Sequence, residues 1–275
     1  AWIDRIHAVG HVAVDTETTS LDEMQAELVG ISLCVDAGQA AYIPLGHKQG
    51  GGDLFGSTDL VPGQLPMDQA LAALKPVLED PAVLKIGQNM KYDWKIFARH
   101  GIRIAPLDDT MLLSYAMHGG LNSHGMDALS EQYLGHQPIP IKSLLGSGKS
   151  QITFDRVGID DAVKYAAEDA DITLRLHRVL QPQLLAVPSL DGVYRDIEMP
   201  LVPVLARIEA NGVHIDMAEL RRQSQDLSVR MLAAQQKATE LAGRTFNLDS
   251  PKQLQALLFD ELKLPVLVKT PTGQP

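Results

Sequence analysis

The sequence is poor in cysteine, in long apolar runs and in net positive charge. Cys34 is the one cysteine among 275 residues, which excludes an internal disulfide and fits a reducing cytoplasm. No apolar run approaches the roughly 20 residues that cross a bilayer. The N-terminus also has no basic region followed by an apolar core. The sequence therefore predicts a cytoplasmic protein that is not membrane-bound, with Cys34 as a buried apolar residue of a strand.

The formal net charge of −10 argues against a broad basic surface that holds duplex nucleic acid through counterion release. It is compatible with a small cleft that holds only a few phosphates beside bound cations. A solvated surface position is the simpler interpretation of each candidate phosphate neighbour. These candidates are Lys91, Lys142, Lys149 and Lys164.

Two further patterns lack features that a binding site requires. The GSGKS segment, residues 146–150, resembles a phosphate-binding loop, but that pattern requires glycine where Ser143 stands, and no strand precedes it. We interpret it as part of an irregular basic stretch, residues 138–150. The nine histidines lack metal-ligand spacing. We expect loop or surface positions for His47, His118, His124 and His136.

Two carboxylates, Asp15 and Glu17, stand at the end of a short apolar run, residues 11–15. The run is typical of a buried strand, and side chains two residues apart on a strand share a face. Carboxylates held this close raise each other's pKa unless a cation lies between them. The pattern therefore predicts a divalent metal site.

Two more segments carry candidate ligands. Residues 159–180 show helical periodicity, which places Tyr165 and Asp169 on one face, about 6 Å apart along the axis. A lone charge such as Asp169 among alanines is costly to bury without a partner. Asp93 falls in the first turn of a helix after a predicted strand, residues 83–87, which places it near the same sheet edge.

Oxygen ligands without a cysteine or histidine cluster favour Mg²⁺ or Mn²⁺. In a two-metal site, ions about 3.5–4 Å apart hold the attacking and leaving oxygens of a phosphoryl transfer. The Tyr165 hydroxyl, with an ordinary pKa of about 10, is better suited to orient a water than to act as a base. Each pattern alone is common as a helix cap or a solvated face, but their ordered combination predicts a metal-dependent nuclease.

The segments DTETTSLD, GQNMKYD and YAAEDAD resemble the three exonuclease motifs of the DEDDy 3′→5′ exonucleases. More specifically, they resemble the proofreading domain of bacterial DNA polymerase I, family A. The similarity continues through LVGISLCVDAGQAAYIPLGH, LDDTMLLSYAMH and IEMPLVPVLARIEANGVHID. It implies an α/β fold with a ribonuclease H-like mixed sheet flanked by helices. It also implies that Asp15, Glu17, Asp93 and Asp169 bind two Mg²⁺ or Mn²⁺ ions and that Tyr165 positions the nucleophilic water.

The resemblance also implies a set of substrate contacts. Leu21 is expected to wedge against the terminal bases, Gln88 and Asn89 to contact the strand together with Tyr92, and Phe154 to stack near the frayed end. Ordinary core packing is the alternative for Leu21 and Phe154. The implied substrate is single-stranded DNA or a frayed primer 3′ end, degraded to nucleoside 5′-monophosphates.

Two other functions remain open. A ribonuclease D-like exonuclease acting on RNA has the same motifs, because they do not read the sugar. A binding or scaffold module that holds a primer without cleaving it is the second alternative, although such loss of chemistry usually removes carboxylates. All four are present here.

The predicted domains are an exonuclease domain, residues 1–187, and a smaller all-helical segment, residues 188–275, that resembles the base of the polymerase thumb. Strands are expected at residues 10–16, 27–36, 39–45 and 83–87, with the first three forming an antiparallel meander. Helices are expected at 67–79, 90–100, 108–117, 125–134, 159–180, 193–210, 217–242 and 250–262, and a surface loop at 46–66.

The first residue is not methionine. We therefore expect a fragment of a longer chain, with the remainder of a polymerase as its partner, a monomeric state, and no polymerase activity from these residues alone.

Overall fold

Five strands form one mixed sheet in the N-terminal part of the chain. They are β1 (His11–Thr18), β2 (Leu28–Asp36), β3 (Gln39–Pro44), β4 (Leu84–Gly87) and β5 (Leu107–Asp109). Their order across the sheet is β3-β2-β1-β4-β5. The first three strands pair antiparallel, whereas β4 runs parallel to both β1 and β5. The predicted meander and mixed sheet are therefore confirmed.

The computed structural model describes residues 1–49, 59–121, 123–269, 271 and 273. The chain divides into two compact units, Ala1–Gly212 and Val213–Pro275. The predicted domain boundary at 187/188 remains a prediction. Residues 50–58, within the predicted loop 46–66, lie outside the described residues.

The described residues of the first unit contain nine α-helices, of which the first precedes the strands and the others separate or follow them. They are α1 (Trp2–Val9), α2 (Met67–Leu78), α3 (Met90–Arg99), α4 (Thr110–His118), α5 (Met126–Leu134), α6 (Ile141–Leu145), α7 (Ile159–Leu185), α8 (Pro188–Val193) and α9 (Met199–Asn211), and a π-helical turn, Tyr194–Glu198, joins the last two. Helix α6 was not predicted, nor was α8 before Val193. Part of the expected irregular stretch 138–150 is therefore helical.

The two faces of the sheet pack against different helices. Val12 and Val14 of β1 belong to a core that also contains Phe97 of α3. Ala13 points to the opposite face, where it joins a cluster with Ala170 of α7. Because strand side chains alternate, Asp15 and Glu17 continue the row of Ala13 on the α7 side. Both faces of the sheet are covered, which explains the nearly continuous apolar sequence of β2.

Several element ends differ from the predictions. Strand β1 continues to Thr18, so Glu17 lies inside the strand and not beyond it. The helix expected at 108–117 begins at Thr110, because Asp109 ends β5 and caps α4 with its side chain. Helix α7 continues through Pro182 to Leu185.

His47 and Cys34 are both buried in this unit. His47 was expected in a loop or at the surface; it does lie in a loop but is fully buried, and its ring bonds the Tyr42 hydroxyl and the Val157 carbonyl. Cys34 is buried in β2, as predicted.

The second unit is helical, as predicted. It contains α10 (Met217–Ala242) and α11 (Pro251–Gln255), followed by a π-helical turn, Ala256–Glu261. Asp216 caps the first helix and Ser250 the second through their side-chain oxygens. In the part of the chain that the structure describes, no helix has the combined length and apolarity needed to cross a bilayer.

Candidate active site

Three carboxylates from two elements converge beside the sheet. Asp15 and Glu17 come from β1, and Asp169 comes from α7, which lies across this face of the strand. One carboxylate oxygen from each lies within 4.8 Å of the others. Helix α7 approaches the sheet through Ala166 and Ala170, which are fully buried. The small side chains leave room for Asp169 to reach the carboxylates of the strand.

Asp93 approaches the same place from the other side of β1. Its Oδ1 accepts hydrogen bonds from the Thr16 backbone N–H at 2.9 Å and from the Thr16 hydroxyl at 2.6 Å. Asp93 is buried, and the charge of Asp15 acts on it directly. The structure therefore brings all four predicted carboxylates together, with one oxygen of Asp93 already bonded to Thr16.

The electrostatics of the cluster are unfavourable for four ionised groups. Burial raises the pKa of Asp15 to about 6, although the Thr16 N–H opposes this. Burial, followed by the charges of Asp15, Asp169 and Asp93, raises the pKa of Glu17 well above its usual value. Burial and the Asp15 charge do the same for Asp169. Protons or cations must therefore accompany these side chains at neutral pH.

The donor set fits a divalent cation. Glu17 Oε1 is buried and has no hydrogen-bond partner among the described residues. A buried carboxylate oxygen without a partner is costly, and a bound cation would satisfy it. The converging ligands are all carboxylate oxygens, which are the ligands that Mg²⁺ and Mn²⁺ prefer.

Tyr165 lies one helical turn before Asp169. Burial, together with the nearby charges of Asp169 and Glu17, raises the pKa of its hydroxyl. The hydroxyl therefore remains protonated over the physiological range and keeps a proton to donate. The Tyr165 ring contacts that of Phe154, with centroids 6.0 Å apart.

A cleft of about 560 Å³ opens over the carboxylates. Its lining includes every side chain predicted for catalysis or substrate binding: Asp15, Glu17, Leu21, Gln88, Asn89, Tyr92, Asp93, Phe154, Tyr165 and Asp169. Leu21 is 93% exposed, so it is not a core residue. Phe154 is only 3% exposed, and it forms part of the wall.

The polar lining residues differ in how their side chains are engaged. Gln88 donates to the His124 carbonyl at 2.8 Å and accepts from the Thr110 hydroxyl, so its amide is bonded within the protein. Asn89 is exposed and has a left-handed backbone, with φ of 60°. The contacts of Gln88 and Asn89 with a DNA strand remain predictions.

Of the candidate lysines whose side chains the structure describes, one lines the cleft. This is Lys142, which is exposed. Lys91 pairs with Glu209 and Lys164 with Asp161. The side chain of Lys149 lies outside the described part of the structure.

Sequence reasoning missed two supporting residues. Thr16 fixes Asp93, and Asp109 accepts hydrogen bonds from the N–H groups of Asn89 and Met90 at 3.1 and 2.7 Å. The signal for Asp109 was the LDDT segment, in which an aspartate precedes the first residue of a helix. Thr16 had no signal beyond its position between the two carboxylates.

The chain is similar to several known proteins. Residues 1–185 match the family model described as 3′-5′ exonuclease, and residues 217–275 match that of DNA polymerase family A. DNA polymerase I of Pseudomonas aeruginosa is 50% identical over 278 residues, which cover all of this chain and 30% of the relative. DNA polymerase I of Rhizobium leguminosarum is 51% identical over 282 residues, which cover 99% of this chain and 28% of that protein.

A solved structure has the same fold. It is described as the POL domain of Pol1 from M. smegmatis in complex with DNA primer-template and dNTP, and it matches with a TM-score of 0.73 and 25% sequence identity. The match covers all of this chain and 41% of the other. The chain spans about 30% of the length of the curated relatives that it matches. From the family match over residues 1–185, the chain belongs to the 3′-5′ exonuclease family found in DNA polymerases of family A.

Proposed function

We propose that this chain removes nucleoside 5′-monophosphates from the 3′ end of single-stranded or frayed DNA by metal-dependent hydrolysis. The observation that carries the proposal is the convergence of the half-buried Asp15 with the buried Glu17 and Asp169, where the charges acting on Glu17 and Asp169 are those of other carboxylates and Glu17 Oε1 has no hydrogen-bond partner among the described residues. Such an arrangement is unfavourable by itself and becomes favourable when divalent cations bind. The family match supports the exonuclease reaction.

The four carboxylates would hold two Mg²⁺ or Mn²⁺ ions. Asp15, Glu17 and Asp169 provide converging oxygens, and Asp93 lies beside Asp15. When bound, the ions supply an activated water and charge stabilisation at the departing 3′ oxygen. Thr16 fixes the orientation of Asp93 through two hydrogen bonds to one carboxylate oxygen.

Tyr165 would orient the attacking water. Its hydroxyl lies beside Asp169 and keeps its proton, because burial and the surrounding negative charge disfavour the phenolate. A neutral hydroxyl would orient the water by hydrogen bonding and would not serve as a base. Holding the water in one orientation would lower the entropy cost of the reaction.

The cleft suits a single strand end. Its volume of about 560 Å³ accommodates a terminal nucleotide and its neighbour, and the exposed Leu21 stands at its edge. Lys142 supplies a positive charge for a phosphate in a chain whose net charge is −10. In this proposal Asn89, Gln88, Tyr92 and Phe154 form the remaining contacts with the strand. The remainder of a polymerase chain is the proposed partner of this segment.

The test is digestion of a 5′-labelled single-stranded DNA with Mg²⁺, with Mn²⁺ and with chelator, beside the Asp15→Ala, Glu17→Ala double variant and Asp169→Ala. We expect a ladder that shortens from the 3′ end only with metal and only in the unmodified protein. Circular dichroism checks that the variants are folded. Full activity of folded Asp169→Ala would contradict the assignment of the metal ligands.

An RNA strand of the same sequence, digested in parallel, separates the two enzymatic alternatives. Faster cleavage of RNA would favour a ribonuclease D-like function, because the carboxylates themselves do not distinguish the sugars. A DNA strand that is bound but not cut would favour the scaffold function.

A further inference from the structure

Helix α3 contacts both the chemical centre and the edge of the cleft. Asp93, in its first turn, bonds Thr16 beside the carboxylates. Tyr92, Lys95 and Arg99 follow one another at spacings of three and four residues, so they share one face of the helix. That face contacts the β1–β2 loop, residues 19–27, which carries the exposed Leu21.

Each of the three side chains bonds a different part of this loop. The Tyr92 hydroxyl donates to the Ser20 carbonyl at 2.5 Å, immediately before Leu21. The Lys95 ammonium pairs with the Glu23 carboxylate, two residues after Leu21. The Arg99 guanidinium donates to the Glu23 carbonyl at 2.8 Å and also to the Ala26 carbonyl. The loop is therefore fixed on both sides of Leu21 by one rigid helix.

Lys95 is the unusual member of the group, because its side chain is 2% exposed. It has a second carboxylate partner, Glu209 of α9. Burial lowers the pKa of Lys95, but hydrogen bonds to Glu209 and Glu23 outweigh burial and raise it. A buried ion pair contributes little net stability compared with apolar packing. Its clearer physical effect is to hold Glu23 in one place.

We propose that Lys95 is a positioning residue that holds Leu21 against the last base pair of a DNA end, and thereby sets how readily paired ends are cut relative to unpaired ones. The inference rests on the proposed function. Lys95 does not line the cleft, so it acts through the loop and not on the substrate. A single strand needs no separation of bases, whereas a paired end must fray before its 3′ terminus reaches the carboxylates.

Two variants test the inference in the full chain. Lys95→Met keeps the length of the side chain and removes its charge, and Lys95→Arg keeps the charge. The probes are a 5′-labelled single strand and the same strand as a blunt duplex. For each, kcat/KM is measured with Mg²⁺, and the ratio of single-strand to paired-end kcat/KM is compared with that of the unmodified protein.

We expect Lys95→Met to raise this ratio about fivefold. The ratio of Lys95→Arg should stay within about twofold of that of the unmodified protein. Lys75→Met is the matched control, because Lys75 also pairs with a glutamate, Glu79. Lys75 does not line the cleft, and its bonds are not with the β1–β2 loop. That variant should leave the ratio unchanged. If Lys95→Met fails to fold, Glu23→Gln removes the same ion pair from the loop side, where the carboxylate is 25% exposed.

A double variant separates positioning from a general structural effect. If Lys95 acts through Leu21, Leu21→Ala combined with Lys95→Met should have the same ratio as Leu21→Ala alone. The inference would be overturned if the effects of the two substitutions on the ratio multiplied in the double variant. It would also be overturned if Lys95→Met lowered kcat/KM equally on the single strand and the duplex.

Failure of the proposed function has a different signature. An unmodified protein that cuts neither probe with Mg²⁺ would refute the exonuclease itself. An active protein whose ratio does not change in Lys95→Met would refute only the role of Lys95.

Discussion

Two groups of carboxylates lie near the carboxyl ends of the parallel strands, and they differ in their hydrogen-bond partners. In the first group, Asp15, Glu17 and Asp169 face one another, and Glu17 Oε1 accepts no hydrogen bond from any described residue. In the second group, Asp108 and Asp109 of β5 are surrounded by donors. Carboxylate oxygens thus occur both with and without hydrogen-bond partners within one fold.

The second group is fully bonded. Asp109 accepts hydrogen bonds from the backbone N–H groups of Asn89, Met90, Met111 and Leu112 at 2.7–3.3 Å. Asp108 accepts from His177 at 2.8 Å, Gln181 at 3.2 Å and Tyr194 at 3.1 Å. Bonded carboxylates connect elements and stabilise the fold, whereas unbonded ones weaken it unless a ligand compensates. Buried carboxylates without partners therefore indicate function more strongly than burial does.

The largest expected effect is on activity, in Glu17→Gln. We expect kcat/KM on single-stranded DNA to fall by at least about 1,000-fold, because the proposed metal site loses a charge. The free energy of unfolding without metal should stay equal or rise, since one of several repelling charges is removed. Denaturant titration in chelator and a cleavage assay measure the two quantities. If Glu17→Gln lost both stability and activity, the two groups of carboxylates would not differ as described.

The second prediction concerns stability, in Asp109→Ala. Removing this carboxylate leaves four backbone N–H groups without their acceptor, that of Met90 in a buried bond and the other three in partly buried ones. We therefore expect the free energy of unfolding to fall by about 3 kcal/mol. Asp108→Asn keeps an accepting oxygen and should cost less. Urea unfolding followed by circular dichroism provides both values. A cost below about 1 kcal/mol for Asp109→Ala would contradict the structural role.

Tyr165 and Tyr194 extend the comparison, because Tyr165 lies beside the first group of carboxylates and Tyr194 beside the second. Tyr165→Phe should lower kcat roughly tenfold to a hundredfold, through loss of water orientation, with little change in KM. Tyr194→Phe removes the acceptor of the Asp109 N–H and a donor to Asp108, so it should cost about 1–3 kcal/mol of stability. Steady-state kinetics and thermal unfolding of both variants check that Tyr165→Phe mainly lowers the rate and that Tyr194→Phe mainly lowers the stability. A rate loss in Tyr194→Phe larger than that in Tyr165→Phe would contradict this prediction.

The smallest expected effect concerns a third buried ionisable group, Cys34. Burial, followed by the charge of Asp171, raises the pKa of its thiol to about 12. Alkylation by iodoacetamide should therefore stay slow in the native protein between pH 7 and pH 9. In urea, where the thiol has an ordinary pKa of about 8.5, the rate should rise more than tenfold over that interval. Mass spectrometry follows the labelling, and fast native labelling at pH 8 would show that the strand opens.

The parts of the site that depend on local periodicity could be predicted from the sequence. Asp15 and Glu17 are two residues apart on a strand, and Tyr165 and Asp169 are four apart on a helix, so each pair shares a face wherever its element lies. The meander was also predictable, because apolar runs and short turns specify neighbouring antiparallel strands. These relations involve few residues and need no knowledge of the tertiary structure.

The contacts between distant segments could not be predicted in the same way. Thr16 and Asp93 are 77 residues apart, and no pattern in either segment indicates their hydrogen bonds. Strand β5 has three residues, too few to show a period. His47 is polar and lies in a loop, yet it is buried because Tyr42 and Val157 provide partners for both ring nitrogens. Such positions are determined by packing between elements.

The most direct test of the central claim is a calorimetric titration of Mn²⁺ into the unmodified protein, Glu17→Gln and Asp108→Asn. If carboxylates without partners form the metal site, the unmodified protein and Asp108→Asn bind Mn²⁺ alike, and Glu17→Gln binds at least tenfold more weakly. Equal binding by Glu17→Gln, or no binding by the unmodified protein, would contradict the account.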